Sequence, residues 1–331
     1  MPLLASLDKQ LQEQALWALG NIGGDGPTYR DLVLQQEGIV NLLILMSADD
    51  PSLKLSYRRT LAWTISNLCR GRPHPDFGKI SQFLPTLARF LLFSDDTEIL
   101  AHTCWALSYI SDRLENIQVV LDSGCLPKVI ELLGSNRSSV VTPALRAVGN
   151  IATGSAEQTQ ALISNGVVAR LLLLLGHQKK AIRKEACWTF SNITAGSTEQ
   201  IQAVIEGNVF PQLRDLVIDS EYDVRKEAVW AILNIVESAT VEQINYVLSL
   251  GCITPIIPLL NSDVKQVMLI LDGFKKLAVA LKPFPEPFQN FKGLLFDNGL
   301  EERLADLVHH DNLTVRTRTT DLQEQLGIIE S

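Results

Sequence analysis

Cysteine and aromatic residues are scarce in this chain of 331 residues, at five cysteines and 6% aromatics. Cys69, Cys104, Cys125, Cys187 and Cys252 are scattered, without a CxxC pair, which excludes a disulfide frame and a zinc site and predicts small reduced core residues. The five histidines, His74, His102, His177, His309 and His310, form no HExxH or other metal-spaced set, and the adjacent His309 and His310 read as solvated surface. No GxxxxGK phosphate loop occurs, and GGDGP at 23–27 lacks the lysine such a loop needs. The expectation is no enzyme, no metal and no cofactor. The run LLLLL at 171–175 is far too short to span a bilayer, and no signal peptide stands at the start, so an intracellular chain without membrane insertion is expected. Basic residues are outnumbered, 29 Lys and Arg against 37 Asp and Glu, for a formal charge of −8. That balance weighs against nucleic acid as a partner and favours a basic one.

What the chain does contain is a recurring phrase. QALWALGNIGGD, TLAWTISNLCRG, HTCWALSYISDR, PALRAVGNIATG, EACWTFSNITAG and EAVWAILNIVES follow one another, and Trp17, Trp63, Trp105, Arg146, Trp188 and Trp230 are spaced by 46, 42, 41, 42 and 42 residues. A period of about 40 to 47 residues built from two or three helices is that of an armadillo or HEAT solenoid. Around a helical wheel, Ala186, Phe190 and Ile193 fall within about 60° of one another, a core stripe, while Glu185, Trp188 and Asn192 cluster on the opposite side. The predicted fold is all-α, a right-handed superhelical armadillo-repeat solenoid with a ladder of Trp and Asn on its concave side.

Residues 1–331 read as a single array. Positions 1–30 read as a partial first repeat, because MPLLASLDKQ runs directly into a motif helix; its Leu3, Leu4 and Leu7 suggest a larger parent array. Positions 31–281 read as central repeats, punctuated by Gly at helix ends and Pro in the first turn of the next helix, as in LDSGCLPKVIELL and IEGNVFPQLRDLV. Ser94 is expected to cap the following helix, and the prolines of RGRPHPDFG at 70–78 forbid helix there. Past Ile235 the pattern fades: Asp272 and Lys276 take the seventh Trp and Asn positions, and KPFPEPFQN at 282–290 is expected to interrupt the array. A last unit is expected from Gly299 to about Ile329, so positions 282–331 read as a diverged carboxy-terminal repeat and polar cap.

The ladder has the chemistry of an extended-peptide receptor. Asn offers a donor and an acceptor to a partner backbone whatever its sequence, and Trp offers a flat wall to the stem of Lys or Arg. Helices packed about 8 to 10 Å apart would read about three residues of a strand rising about 3.3 Å per residue. Asp25, Glu98, Asp112, Glu185 and Glu227 lie beside the ladder and would select basic side chains collectively, since one exposed pair contributes only about 0.2 to 1 kcal/mol. Tyr109 in place of Asn and Arg146 in place of Trp interrupt the ladder and would divide it into two pockets.

These phrases, with the Tyr and Arg interruption, resemble the importin alpha family, the receptors for nuclear localisation signals. The resemblance implies an import adaptor that binds lysine- and arginine-rich cargo peptides and shuttles between cytoplasm and nucleus. It implies a major-type pocket at Trp17, Asn21, Asp25, Trp63, Asn67, Glu98, Trp105 and Tyr109. It implies a minor-type pocket at Arg146, Asn150, Thr159, Glu185, Trp188, Asn192, Glu227, Trp230 and Asn234. By the family register Trp17 falls in the third repeat, so the basic segment that binds importin beta and the first repeats are expected to be absent, leaving the major pocket partial. The last repeats would face the export factor and nucleoporins. His102 stands where many family members carry an acid. The rival reading is a catenin-type armadillo scaffold for acidic or phosphorylated partners, which would need a ladder rich in Lys and Arg.

Overall fold

The computed structural model describes residues 2–36, 39, 43 and 53–330, and among these every regular element is helical. Positions 37–38, 40–42 and 44–52 of the 31–281 stretch lie outside the described residues. Motif helices run Lys9–Gly24, Leu55–Cys69, Thr97–Ile110, Ser138–Ile151, Lys180–Thr194, Tyr222–Leu233, Val264–Leu281 and Leu313–Gln325. They are named below by their ladder residue.

Local chemistry explains where they start and stop. Asp8, Asp96, Asp263 and Asn312 each precede a motif helix and accept two backbone N–H groups of its first turn, as Asp8 does from Gln10 (2.8 Å) and Leu11 (3.3 Å). The short helices at Ala156–Ser164, Thr198–Glu206 and Val241–Ser249 begin with complete capping boxes, Ser155 with Gln158, Ser197 with Gln200 and Thr240 with Gln243. Asp96 rather than Ser94 caps the Trp105 helix, because Ser94 Oγ is occupied by the Asp96 N–H at 3.2 Å. In IEGNVFPQL the left-handed residue is Asn208, at φ 53°, while Gly207 remains in the right-handed helical region. Asn tolerates that region better than most side chains.

Two proline-rich stretches depart from expectation. KPFPEPFQN does not interrupt the array: Pro285 opens a helix that runs to Asp297, and Pro287 falls in its first turn, where N–H groups have no intrahelical partner to lose. The last unit therefore starts with that helix, well before Gly299, and continues through Leu300–Leu307 and Leu313–Gln325. Thr254–Asn261, with Pro255 and Pro258, is a 3-10 helix. His310 is not plain solvated surface either. It is half-buried, its Nδ1 accepts the Asn312 N–H at 2.9 Å, and its carbonyl accepts from Arg316 at 2.7 Å; His309 is exposed.

The chain divides into two compact units, Met1–Arg170 and Leu171–Ser331. In the first, the four successive motif helices pack side by side around Leu16, Leu61, Ile65, Cys104, Leu107, Leu145 and Val148, all buried. In the second, Ala186, Phe190 and Ile193 are fully buried, as the wheel requires, and the core continues through Ala228, Ile232 and Ile270 to Phe274, whose ring meets Phe291 edge to face at 6.4 Å. Burying a side chain such as Phe190 stabilises the fold by about 1.5 to 3 kcal/mol. All five cysteines are buried and unpaired.

Candidate functional site

In the first unit the ladder is built by contact between successive helices. Trp17 is 55% exposed, and the Asn21 side chain turns back on its own helix, donating to the Trp17 carbonyl at 3.0 Å. Asp25 is exposed at the end of that helix. Trp63 lies across Gly20 so closely that a methyl group there would come within 2.3 Å of the ring. Asn67, only 8% exposed, donates to the Gly20 carbonyl at 3.1 Å, and Asn150 donates to the Ser108 carbonyl at 2.8 Å. Trp105 stacks on Tyr109, with ring centroids 5.7 Å apart and planes 20° from parallel. Arg146 is exposed. Thr159 is buried, its hydroxyl donating to the Ala152 carbonyl at 3.4 Å, at the sequence position where later repeats bury Ile201 and Ile244.

The acids around the Trp105 helix are engaged. Arg59 grips Asp96 through two hydrogen bonds (2.6 and 3.1 Å) and reaches Glu98 at 3.1 Å. The Arg59 bond holds the Asp96 carboxyl below its ordinary pKa. Asp112 pairs with Arg72 at 2.7 Å and lies 3.6 Å from His74. His102 is half-buried, and burial holds its pKa below the ordinary histidine value against the pull of Glu98. A hollow of about 350 Å³ opens beside Trp105 and Tyr109, rimmed by Arg70, Arg72, His74 and Arg146.

In the second unit Glu185, Trp188 and Asn192 lie along one side of their helix, all half-buried, and Glu227, Trp230 and Asn234 repeat the arrangement. Trp230 is 38% exposed. Asn234 donates to the Ser191 carbonyl at 2.9 Å. Asn192 Nδ2 is buried with no hydrogen-bond partner among the described residues. Burial raises the Glu227 pKa, opposed by the nearby Lys184 and Lys226. Beyond Asn234 the ladder changes chemistry: Lys276 pairs with Glu237, Arg318 with Asp272, and Lys275 with Asp321 at 2.7 Å.

Three features escaped the sequence reading. Ser66, Ser108 and Ser191 each donate to the carbonyl of the Trp three residues earlier at 2.8 Å, fixing the turn that carries the ladder residue after them. The recurring dipeptides GN, SN and SY were the available signal: at Gly20, Ser108 and Ser191 the small residue before the ladder position offers its carbonyl to the next repeat's Asn. Leu233 is the exception, and Gly273 accommodates it, since a methyl on Gly273 would come within 2.8 Å of Leu233. The third feature is the pairing of Arg59 and Arg72 with the acids, which nothing in the spacing announced.

Comparison with known proteins agrees with this architecture. The Armadillo/beta-catenin-like repeat family matches residues 79–112, 114–153, 155–195 and 197–237. Importin subunit alpha-1b of Oryza sativa subsp. japonica is 48% identical over 158 residues, which are 47% of this chain and 29% of that protein. Importin subunit alpha-2 of Arabidopsis thaliana is 48% identical over 132 residues, covering 40% of this chain and 24% of that protein. The match thus spans less than a third of these relatives. Among solved structures, an engineered protein superposes over 98% of this chain and 77% of its own with a TM-score of 0.86 at 26% identity. A designed armadillo repeat protein in complex with the peptide (KR)4 superposes over 73% of this chain and 99% of its own, with a TM-score of 0.67 at 31% identity. The chain is an armadillo-repeat protein, similar over part of its length to importin alpha subunits.

Proposed function

We propose that this chain binds extended Lys- and Arg-rich peptides, such as nuclear localisation signals, along its Trp and Asn ladder and serves as an adaptor for import of their parent proteins into the nucleus. The observation that carries the reading is the second-unit ladder. Asn192 holds a buried amide donor with no partner among the described residues, beside Trp188, and the following helix repeats the pattern at Trp230 and Asn234. A partner backbone carbonyl would satisfy that donor, the indoles would flank an aliphatic stem, and Glu185 and Glu227 would attract its charge. The likeness to importin alpha subunits and to a designed protein solved with (KR)4 supports the same reading. On this reading the carboxy-terminal repeats meet an export factor and nucleoporins, and the chain cycles between cytoplasm and nucleus.

The test is a titration with one lysine-rich and one acidic peptide of equal length. The lysine-rich peptide binds, more weakly as salt rises because the carboxylates are screened. Asn192→Ala weakens it by about 1 to 3 kcal/mol. Asn21→Ala weakens it less, its exposed amide being turned onto its own helix. Preference for the acidic peptide, or a larger loss at Asn21 than at Asn192, contradicts the proposal.

A further inference from the structure

The two units differ at one ladder position. Three residues before the ladder Trp, the second unit carries Glu185 and Glu227, whereas the first carries Gln14, Thr60, His102 and, before Arg146, Pro143. The acids that do flank the Trp105 helix have basic partners: Arg59 takes Asp96 at 2.6 Å and Glu98 at 3.1 Å, and Arg72 takes Asp112 at 2.7 Å. One side of that helix therefore reads Glu98, His102, Trp105, Tyr109, Asp112, with both terminal carboxylates engaged and an imidazole between them. The hollow at its carboxy-terminal half adds Arg70, Arg72, His74 and Arg146.

We propose that the ladder face of the Trp105 helix is a subsite for a carboxylate side chain of the bound peptide, and that His102, Arg70 and Arg72 set this preference against Lys and Arg. An incoming ammonium meets carboxylates whose charge Arg59 and Arg72 already balance, so it gains little there. An incoming carboxylate meets guanidinium donors on the rim of the hollow, of which Arg72 also holds Asp112, and these suit planar carboxylates. His102, neutral by burial, has an imidazole N–H to donate. Tyr109, whose hydroxyl burial keeps protonated, closes the hollow with its ring stacked on Trp105. The inference rests on the peptide-ladder reading above and inverts, for this one subsite, the charge that reading expects.

The experiment is fluorescence anisotropy on the full chain with a lysine-rich parent peptide and a series in which Asp replaces one residue at a time. Wild type, His102→Glu and Arg70→Gln with Arg72→Gln are compared, each with a thermal melt to show that the fold is retained. In wild type, one short run of positions binds better with Asp than with Lys, by about two- to fivefold, the effect of a single exposed charge pair. His102→Glu reverses that preference at the same positions, and the double arginine variant abolishes it. Binding of the parent with Lys preferred at every position overturns this inference alone, as does an Asp profile unchanged in both variants. If neither the parent nor any Asp peptide binds, the ladder reading fails and this inference with it.

Discussion

Asn67 donates one amide hydrogen to the carbonyl of Gly20, 3.1 Å away and one repeat earlier, and Asn234 does the same to Ser191. At Asn67, Asn150 and Asn234 the ladder amide is therefore structural as well as receptive: one N–H joins neighbouring repeats, while the amide keeps a second N–H and an oxygen. Replacing Asn67 with Ala leaves the Gly20 carbonyl without that donor in a buried setting and costs about 1 to 3 kcal/mol of stability. Asn21→Ala, which removes only a bond within one exposed helix, changes stability by less than about 0.5 kcal/mol. Urea unfolding midpoints separate the two, and equal losses contradict the assignment.

Gly273 and Leu233 form a matched pair whose substitutions should couple. Gly273→Ala gains up to about 1 kcal/mol of helix propensity. The new methyl lies within 2.8 Å of Leu233 Cδ1, an overpacking that costs about 1 to 3 kcal/mol. The substitution is thus destabilising in the wild-type chain and less costly in a Leu233→Ala background, where only the Cβ contact at 3.2 Å remains. A double-mutant cycle in urea reads the coupling; equal costs in both backgrounds refute it.

Glu227 gives stability a pH dependence of definite sign. Burial raises its folded pKa above the ordinary glutamate value of 4.5, so the folded state binds more protons than the unfolded one just above that value. Its contribution is fully present at lower pH and is lost as pH rises through the folded pKa. Glu227→Gln should leave the unfolding midpoint little changed in acid and raise it at neutral pH. A midpoint gain confined to acid contradicts this.

The five cysteines should be inert to an aromatic disulfide reagent in the folded chain and all react once it is unfolded. Burial pushes every thiol up, that of Cys252 to about 12, so little thiolate is present at neutral pH. Rapid labelling of one or more thiols under native conditions would show the packing to be looser than described.

Periodicity made most of the frame legible. Ala186, Phe190 and Ile193 are buried because a helix has one period and one neighbour-facing side. Residue identity alone could not distribute small duties among neighbours. Whether Gly207 or Asn208 turns left-handed, or Ser94 or Asp96 caps, depends on where the last helical hydrogen bond falls. Proline misled at Pro285 and Pro287 because its cost vanishes in a first turn. Thr159, which the family resemblance places in the pocket, is buried at the position of Ile201 and Ile244. The acids read as open rims at Glu98 and Asp112 proved to be held by arginines about 40 residues away in sequence, a pairing of surfaces that no local pattern encodes.

The exchange of amides for ion pairs after Asn234 gives the second unit a direction. An amide rung remains unsaturated after it has braced its neighbour, so each one invites another residue of a strand. Glu237 with Lys276, Asp272 with Arg318 and Lys275 with Asp321 neutralise one another instead. A strand extended past Trp230 would find charges that already answer each other where the ladder's Trp and Asn would stand. The unit thus carries its own full stop, written in side-chain chemistry, and a longer peptide should leave its surplus residues unread.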